Sequence, residues 1–277
     1  MSKISYVLRT LATIGSKPQT FIGAGWLVAG LRLCPPRWKR AAALRILALS
    51  PHYFYRHAGA GYDRLSSSEF LEAEFVRNRD SRQRIADALL QSYLRKEDVI
   101  LDYGCGPGFL AKATAASVAR VYACDISQGV IECARTVNPA ANVVYLDAAR
   151  GELAQVGNAA LDRVYSIAVI QHVDDAGLAH IAGECFRMLK PGGRLVWQVQ
   201  LESPNWRSEA EWRADHSLEG QLKLRYALHC FSRTSEFFQA EMARHGFGDI
   251  SIEPIANIVE EHFDDVCHQH MLTARRL

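Results

Sequence analysis

The chain of 277 residues is long enough for one α/β domain with a modest extension, and it can bury most of the surface that its unfolded form exposes. Its net charge of +2 conceals an asymmetry: residues 1–62 carry nine Lys or Arg and no acidic residue, whereas the other 215 residues carry 23 basic and 30 acidic ones. The seven cysteines are odd in number and include no C-x-x-C pair, which argues against a disulfide framework or a zinc knuckle and favours a reducing cytosol.

Residues 1–50 form a basic arm. Its apolar run at 21–33 has about a dozen residues, fewer than the roughly 20 that a helix needs to cross a bilayer. Residues 37–50 predict a helix that is either interfacial or packed on its own domain, and the apolar stripe common to surface helices favours the second. One side of this helix carries Trp38, Ala41, Ala42, Ile46 and Leu49. We expect the arm to contact an anionic membrane surface rather than contribute to a ligand site, with nucleic acid as the alternative partner. Its composition also resembles an organelle transit peptide.

From residue 81 onward, short apolar strands alternate with helical patterns, which predicts a parallel sheet covered on both faces. Helices are predicted over 81–94, 109–119, 127–137 and 174–189. The last of these is expected to stop at the KPGG sequence of 190–193, because Pro and Gly do not continue a helix. Strands are predicted over 98–103, 120–125, 142–147, 162–168 and 194–201. Residues 202–230 predict a polar insertion with aromatic residues, before a helix within 231–247 and strands at 249–255 and 268–276.

A glycine-rich turn, LDYGCGPG at 101–108, joins a predicted strand to a predicted helix. Backbone N–H groups at the start of a helix attract anionic groups. Phe109 stands where a dinucleotide-binding fingerprint has its third glycine, which argues against a pyrophosphate ligand. The N–H groups of the turn suit a carboxylate and Asp102 suits an ammonium group, so a ligand that carries both is predicted.

Five motifs in order make the chain resemble the class I S-adenosylmethionine-dependent methyltransferases. They are LDYGCGPG, VYACDIS, YLDAA, AVIQHVDD and MLKPGGRLVW. The resemblance implies that Asp125 contacts both ribose hydroxyls, Asp147 the adenine amino group and Ala148 the adenine ring. The full set of cofactor-binding residues that it implies is Asp102, Gly104, Cys105, Gly106, Gly108, Asp125, Ile126, Asp147, Ala148 and Gln171.

The same resemblance, which covers about residues 81–277, implies a fold and a domain organisation. The fold is a Rossmann-like, doubly wound, mostly parallel seven-stranded sheet with helices on both faces, preceded by a helical N-terminal extension. Residues 1–80 are then a basic helical arm and lid, residues 81–277 the methyltransferase domain, and residues 202–230 a substrate-covering insertion. Within the lid, aromatic residues at 52–64 are expected to wall an acceptor, unless they are ordinary packing residues.

A hydroxyl acceptor needs a general base, and histidine is the usual one. His172, just past the fourth predicted strand, is the best-placed candidate, although many family members carry a histidine there beside the cofactor without using it as a base. His216 and His229, in the insertion, are the alternatives. The HFDDVCHQH sequence at 262–270 has ligand-type residues but no recognised spacing, so no metal is expected.

The acceptor is the least determined part of the function. The sequence has no N-P-P-Y or D-P-P-Y run after the fourth strand, where AVIQHV stands, and this favours an oxygen acceptor over the amino group of a nucleobase or glutamine. We expect a small-molecule hydroxyl acceptor, free or lipid-borne. The alternatives are an RNA methyltransferase that uses the basic arm and a non-enzymatic binder of S-adenosyl ligands. A further alternative is an NAD-dependent oxidoreductase, against which the missing third glycine argues.

Overall fold

The structure is a computed structural model that describes residues 25–48, 65–202, 206–225, 229–257 and 269–277. Its strands are β1 Val99–Tyr103, β2 Arg120–Asp125, β3 Val143–Asp147, β4 Leu161–Ser166, β5 Leu189–Val199, β6 Phe247–Pro254 and β7 His270–Arg276. Its α-helices are α1 Gly25–Leu33, α2 Pro36–Leu47, α3 Ser67–Ile85, α4 Phe109–Thr114, α5 Gln128–Val137, α6 Asp175–Met188, α7 Glu209–Ala214, α8 Leu218–Arg225 and α9 Ser235–Arg244.

The seven strands form one sheet in the order β3-β2-β1-β4-β5-β7-β6. β4 pairs in parallel with β1 and β5, whereas β7 runs antiparallel to β5 and β6. Parallel strands need crossover connections, and the chain supplies helices between them. The predicted mostly parallel, Rossmann-like sheet with an N-terminal helical extension is confirmed.

Contacts divide the chain into two compact units. The first comprises Met1–Asp87, Cys105–Ala116 and Ala123–Leu153. The second comprises Ala88–Gly104, Ser117–Tyr122 and Ala154–Leu277. The predicted division into 1–80 and 81–277 stays a prediction.

The core of the first unit includes the N-terminal helices. α1 and α2 both pack on α5. The buried side chains of this core are Leu31, Ala43, Leu44, Leu47, Phe70, Leu71, Phe109, Cys133 and Val137. The Cys133 thiol also lies 3.7 Å from the Ala43 carbonyl oxygen, to which it donates. α2 is therefore a helix that packs on its own unit, as the sequence favoured.

The apolar side predicted for α2 differs in part from the side that is buried in the structure. Trp38 is 57% exposed and Ala41 is exposed, whereas Ala43, Leu44 and Leu47 are buried. The inward side is set by the fit to α5, a helix about 90 residues further along the chain, and an Ala-rich sequence leaves several such stripes open. Leu49 lies outside the described residues.

α3 begins earlier than predicted and has a well-formed N-terminus. The Ser66 hydroxyl accepts from the Glu69 N–H, and the Glu69 carboxylate accepts from the Ser66 N–H at 2.8 Å. This capping box satisfies N–H groups that have no partner within the helix. Two buried polar residues, Glu74 and Asn78, interrupt the apolar pattern of α3, which is why the apolar periodicity indicated no helix before residue 81.

β5 also differs from expectation, because it begins at Leu189 and contains the KPGG sequence. Its register with β4 passes from Leu161 opposite Leu189 to Arg163 opposite Arg194. The extra residues of β5 form a bulge with Gly192 at φ +79°. The predicted turn is thus absorbed into the strand, and the chain enters the sheet directly from α6.

The core of the second unit lies on the central strands. Trp197 of β5 and Tyr165 of β4 are among the largest fully buried side chains. α6 contributes buried apolar side chains, and α9 buries Phe238 and Met242.

Candidate functional site

The glycine turn has the backbone conformation that its sequence predicts. Gly104, Gly106 and Gly108 have φ values of +79°, +52° and +79°. A Cβ atom at Gly108 would lie 2.3 Å from the Tyr145 hydroxyl oxygen, and one at Gly104 would lie 2.4 Å from Val169 Cγ2. Conformation and space therefore both require glycine at these two positions.

Asp125 ends β2 and holds the turn in the first unit. Its Oδ2 accepts from the Gly106 N–H at 3.1 Å and its Oδ1 from the Ser127 N–H at 2.8 Å. Burial raises the pKa of Asp125 to about 6, against the lowering effect of these two hydrogen bonds. The next residue, Ile126, is exposed. A carboxylate and an apolar side chain therefore stand together at the end of β2.

Asp147 ends β3 in the same unit and is buried. Its Oδ1 accepts from the Arg150 N–H at 3.3 Å, and its Oδ2, which has no hydrogen-bond partner, lies 3.7 Å from Arg150 Nε. The Asp147 N–H donates to Glu152 Oε2 at 2.8 Å. Ala148 begins a short 3₁₀ turn. The conformation of this turn is thus fixed by charged side chains.

The second unit contains the remaining residues expected to bind the cofactor, apart from Cys105, which is buried in the first unit. Asp102 is buried in β1 opposite Tyr165 of β4. Gln171 lies in a 3₁₀ turn, Ile170–His172, that follows β4. Just before this turn, Ala168 has a φ of +61° and its N–H donates to Gln198 Oε1 at 2.6 Å. Gln198 thus holds the segment that carries Gln171 and His172.

His172 has a defined hydrogen bond on one ring nitrogen. Its Nδ1 lies 2.6 Å from the His229 carbonyl oxygen. A carbonyl oxygen only accepts, so Nδ1 carries the hydrogen, and in the neutral ring Nε2 carries the lone pair. Cys230 Sγ lies 3.9 Å from the same nitrogen, and burial raises the pKa of that thiol to about 11, which keeps it neutral. The arrangement suits His172 Nε2 to accept a proton.

The other two candidate bases have different surroundings. His229 is buried, with its ring centroid 4.4 Å from that of Phe231 and 5.9 Å from that of Trp212. His216 is exposed between α7 and α8. The structure therefore brings His172 and His229 together, and His229 supports His172 through its backbone. A catalytic role for each histidine stays a prediction.

Two residues outside the predicted site, Gln198 and Arg233, hold the segment around His172. Buried Arg233 donates through Nη2 to the Val173 carbonyl at 2.6 Å and through Nε to Asp175 at 2.7 Å. Gln198 was detectable as a polar residue inside an apolar strand. Arg233 gave no such signal, because its partners are far away in the sequence.

The described residues contain no cluster of metal-ligating side chains. In the part of the chain that the structure describes, no three side chains of His, Cys, Asp or Glu lie close enough to hold a metal ion. Most of the 262–270 cluster, and the aromatic residues of 52–64, lie outside the described residues. The expectation that no metal is needed therefore stays a prediction.

A family model described as a methyltransferase domain matches residues 101–197. The match includes the glycine turn, the ends of β2 and β3, and the segment that carries Gln171 and His172.

Curated relatives share the same region. The ubiquinone biosynthesis O-methyltransferase of Saccharophagus degradans is 25% identical over 225 residues, which are 79% of this chain and 94% of that protein. The malonyl-[acyl-carrier protein] O-methyltransferase of Hahella chejuensis is 37% identical over 124 residues, which are 44% of this chain and 42% of that protein. The match that covers more of this chain thus has the lower sequence identity.

Solved structures share the fold. A possible exported protein of Bordetella parapertussis is 18% identical with a TM-score of 0.51, over 100% of this chain and 99% of that one. Phosphoethanolamine N-methyltransferase 2 of Haemonchus contortus, in complex with S-adenosyl-L-methionine, is 17% identical with a TM-score of 0.50, over 78% of this chain and 60% of that one.

Proposed function

Because this chain belongs to the class I S-adenosylmethionine-dependent methyltransferases, we propose that it transfers a methyl group to the hydroxyl of a small molecule, free or lipid-borne. Methyl transfer with S-adenosylmethionine as co-substrate follows from the family. The hydroxyl acceptor is the finer step, and it rests on His172 Nδ1 donating to the His229 carbonyl, which leaves a basic Nε2.

The cofactor-binding residues are proposed from the family motifs and from what the structure gives each of them. Asp125 would accept from the ribose hydroxyls beside Ile126, and Asp147 would accept from the adenine amino group, with the Ala148 N–H toward the ring. Support comes from the buried Asp147 Oδ2, which has no hydrogen-bond partner. For the methionine part we propose the buried carboxylate of Asp102, the N–H groups of the glycine turn, and Gln171.

The chain's own contribution to methyl transfer would be alignment and proton removal. Bound S-adenosylmethionine supplies an electrophilic methyl group on a sulfonium sulfur. As the acceptor oxygen forms its bond to carbon, His172 Nε2 would take the hydroxyl proton and later release it to water, which leaves a methyl ether and S-adenosylhomocysteine. Positioning of this kind contributes about 7 to 11 kcal/mol to lowering a barrier.

The names of two relatives support an oxygen acceptor, since both are O-methyltransferases. Their acceptors differ in kind, one named for ubiquinone biosynthesis and the other for malonyl-[acyl-carrier protein]. The shared element is the oxygen atom, and this is the part of their names that we extend to the present chain.

The test is a transfer assay with methyl-labelled S-adenosylmethionine and lipid, small-molecule, RNA and protein fractions of a cell extract. We expect the label in the lipid or small-molecule fraction, in a product stable to alkali. Label released by alkali as methanol would indicate a carboxyl acceptor, and label in RNA would support the alternative RNA methyltransferase. No transfer with retained S-adenosylhomocysteine binding would indicate a non-enzymatic binder. Parallel reactions with EDTA or Mg²⁺ test the expectation that no metal is needed.

We also propose that residues 1–50 contact an anionic membrane surface from a cytosolic location. The nine basic residues of 1–62, unaccompanied by acidic ones, supply charge complementarity. In the described part, Leu33 is 84% exposed, and the exposed ring of Trp38 has the Arg37 guanidinium 4.3 Å from its centroid. Exposed Trp and Leu beside Arg are typical of a helix at a lipid interface. None of the described helices has the length and hydropathy needed to cross a bilayer.

A further inference from the structure

α1 carries an arginine that is linked to the end of β3 through a chain of charged side chains within the first unit. Arg32 Nε donates to Glu132 Oε1 at 3.0 Å, and Arg32 Nη2 contacts the same oxygen. Glu132 lies on α5 and is buried, although it carries a carboxylate. A buried carboxylate is costly unless it is paired, so Arg32 stabilises the buried charge of Glu132.

The chain of contacts continues from Glu132 to Arg135, one turn further along α5. Arg135 Nη1 lies 3.0 Å from Glu132 Oε1. The other terminal nitrogen, Nη2, donates to the Tyr145 carbonyl at 2.7 Å and lies 3.8 Å from Glu152 Oε2. Arg135 therefore joins α5 to β3 and to the segment that follows it.

The last contact reaches the residue proposed for the adenine amino group. Glu152 Oε2, beside Arg135, accepts from the Asp147 N–H at 2.8 Å. The hydrogen bond to Glu132 and its charge, and to a smaller extent the charges of Glu152 and Asp147, also raise the pKa of Arg32. The five charged residues Arg32, Glu132, Arg135, Glu152 and Asp147 thus form one network, which we call the α1–β3 network.

We propose that Arg32 is a positioning residue for cofactor binding, which acts through the α1–β3 network to fix the backbone at Asp147. The inference rests on the proposed function, since it takes the adenine amino group as the partner of Asp147. Without Arg32, Glu132 pairs more strongly with Arg135. The contacts of Arg135 with the Tyr145 carbonyl and with Glu152 then weaken. The Asp147 turn then loses order and binds the adenine amino group less tightly. The N-terminal arm therefore contributes to the cofactor site, contrary to the expectation from its sequence.

The test compares Arg32→Gln with Arg40→Gln. Arg40 is a matched control because it also lies in the N-terminal helices and also forms an ion pair, with Glu72 on α3, outside the α1–β3 network. We expect Arg32→Gln to weaken S-adenosylhomocysteine binding about three- to fivefold, the range for a partly exposed ion pair. Arg40→Gln should leave it unchanged, and Arg32→Lys should restore most of the affinity.

A second ligand separates positioning at Asp147 from a general loss of structure. S-inosylhomocysteine has a carbonyl where adenine has its amino group, so Arg32→Gln should change its affinity by less than twofold. An equal loss for both ligands, or no loss for S-adenosylhomocysteine, would overturn the inference. Hydrogen exchange of the peptide that contains the Asp147 N–H provides a readout without ligand: it should be faster in Arg32→Gln than in Arg40→Gln, and equal rates would also contradict the network. A wild-type chain that binds no S-adenosyl ligand would instead refute the proposed function.

Discussion

If Asp125 binds the ribose hydroxyls as proposed, cofactor binding should depend on pH. Burial raises its pKa to about 6, and only the ionised carboxylate accepts hydrogen bonds from both ribose hydroxyls. Affinity for S-adenosylhomocysteine should therefore be constant above pH 7 and fall as pH decreases through 6, by about tenfold per pH unit below that value. Calorimetry between pH 5 and 8 measures this. Asp125→Asn is the control and should bind weakly at every pH, and a wild-type affinity that stays constant down to pH 5 would contradict the prediction.

The same shift sets the sign of the effect of Asp125 on stability. Its pKa in the folded chain is above the ordinary value of 3.8. Between about pH 4 and 6 the folded chain therefore holds a proton that the unfolded chain has released. The contribution of Asp125 to the free energy of unfolding decreases as pH rises through this interval.

His172 should affect turnover more than cofactor affinity. If its Nε2 takes the acceptor proton, His172→Gln should lower kcat by about 10² or more with little change in S-adenosylhomocysteine binding. The exposed His180 of α6, which is not a candidate base, offers the control, since His180→Gln should change kcat less than twofold. A decrease of only a few-fold in His172→Gln together with weaker cofactor binding would place His172 beside the cofactor without a catalytic role. His216 and His229 would then be the candidate bases.

Residues whose chemistry depends on local sequence were predictable, and residues whose role depends on distant partners were not. The three glycines and Asp125 lie within short motifs, so the turn could be read from the sequence. Gln198 and Arg233 acquire their roles only when separate parts of the chain meet, 30 residues away for Ala168 and Gln198 and 60 for Val173 and Arg233.

Among the elements, α2 offers a direct test of whether the N-terminal helices stabilise the first unit. Leu44 is fully buried and Leu33 of α1 is 84% exposed. Leu44→Ala should lower the free energy of unfolding by about 2 to 5 kcal/mol, because it leaves a cavity in a packed core. Leu33→Ala is the matched control and should change it by no more than about 0.5 kcal/mol. Urea denaturation measures both, and equal effects would mean that α2 does not belong to the cooperative core.

Elements were predicted well where apolar periodicity and end signals agreed. β1, β2 and β3 came out within about one residue of expectation, and α6 ends at Met188 beside the predicted stop. α3 was missed over its first 14 of 19 residues, because Glu74 and Asn78 are buried polar residues whose partners, among them Arg77, replace apolar contacts. Only the folded structure supplies that compensation.

At the scale of the whole molecule, the charge asymmetry predicts binding to anionic membranes. The full chain should co-sediment with vesicles containing phosphatidylserine at low salt, and binding should weaken as salt increases. Leu33→Ser/Trp38→Ser should reduce it several-fold. Val76→Ser/Val144→Ser removes two exposed apolar side chains elsewhere and should have no effect. The proposed membrane surface would be contradicted if the full chain did not bind such vesicles at low salt, or if both double variants lost binding equally.

The sheet as a whole could be predicted because alternating strands and helices permit few arrangements. The place of the N-terminal helices could not be predicted, since an apolar run of a dozen residues fits a membrane interface as well as a protein core. Both α1 and α2 pack against α5, which buries Leu31, Leu44 and Leu47 and leaves Leu33 and Trp38 exposed.

The packing of α2 on α5 also has a consequence during synthesis of the chain on the ribosome. Ala43 and its partner Cys133 are 90 residues apart. At a synthesis rate of about 5 to 20 residues per second, α2 emerges roughly 5 to 18 s before the helix that covers it. During that interval Leu44 and Leu47 have no α5 to pack against, so the nascent chain is most exposed to chaperones and proteases between the synthesis of α2 and that of α5.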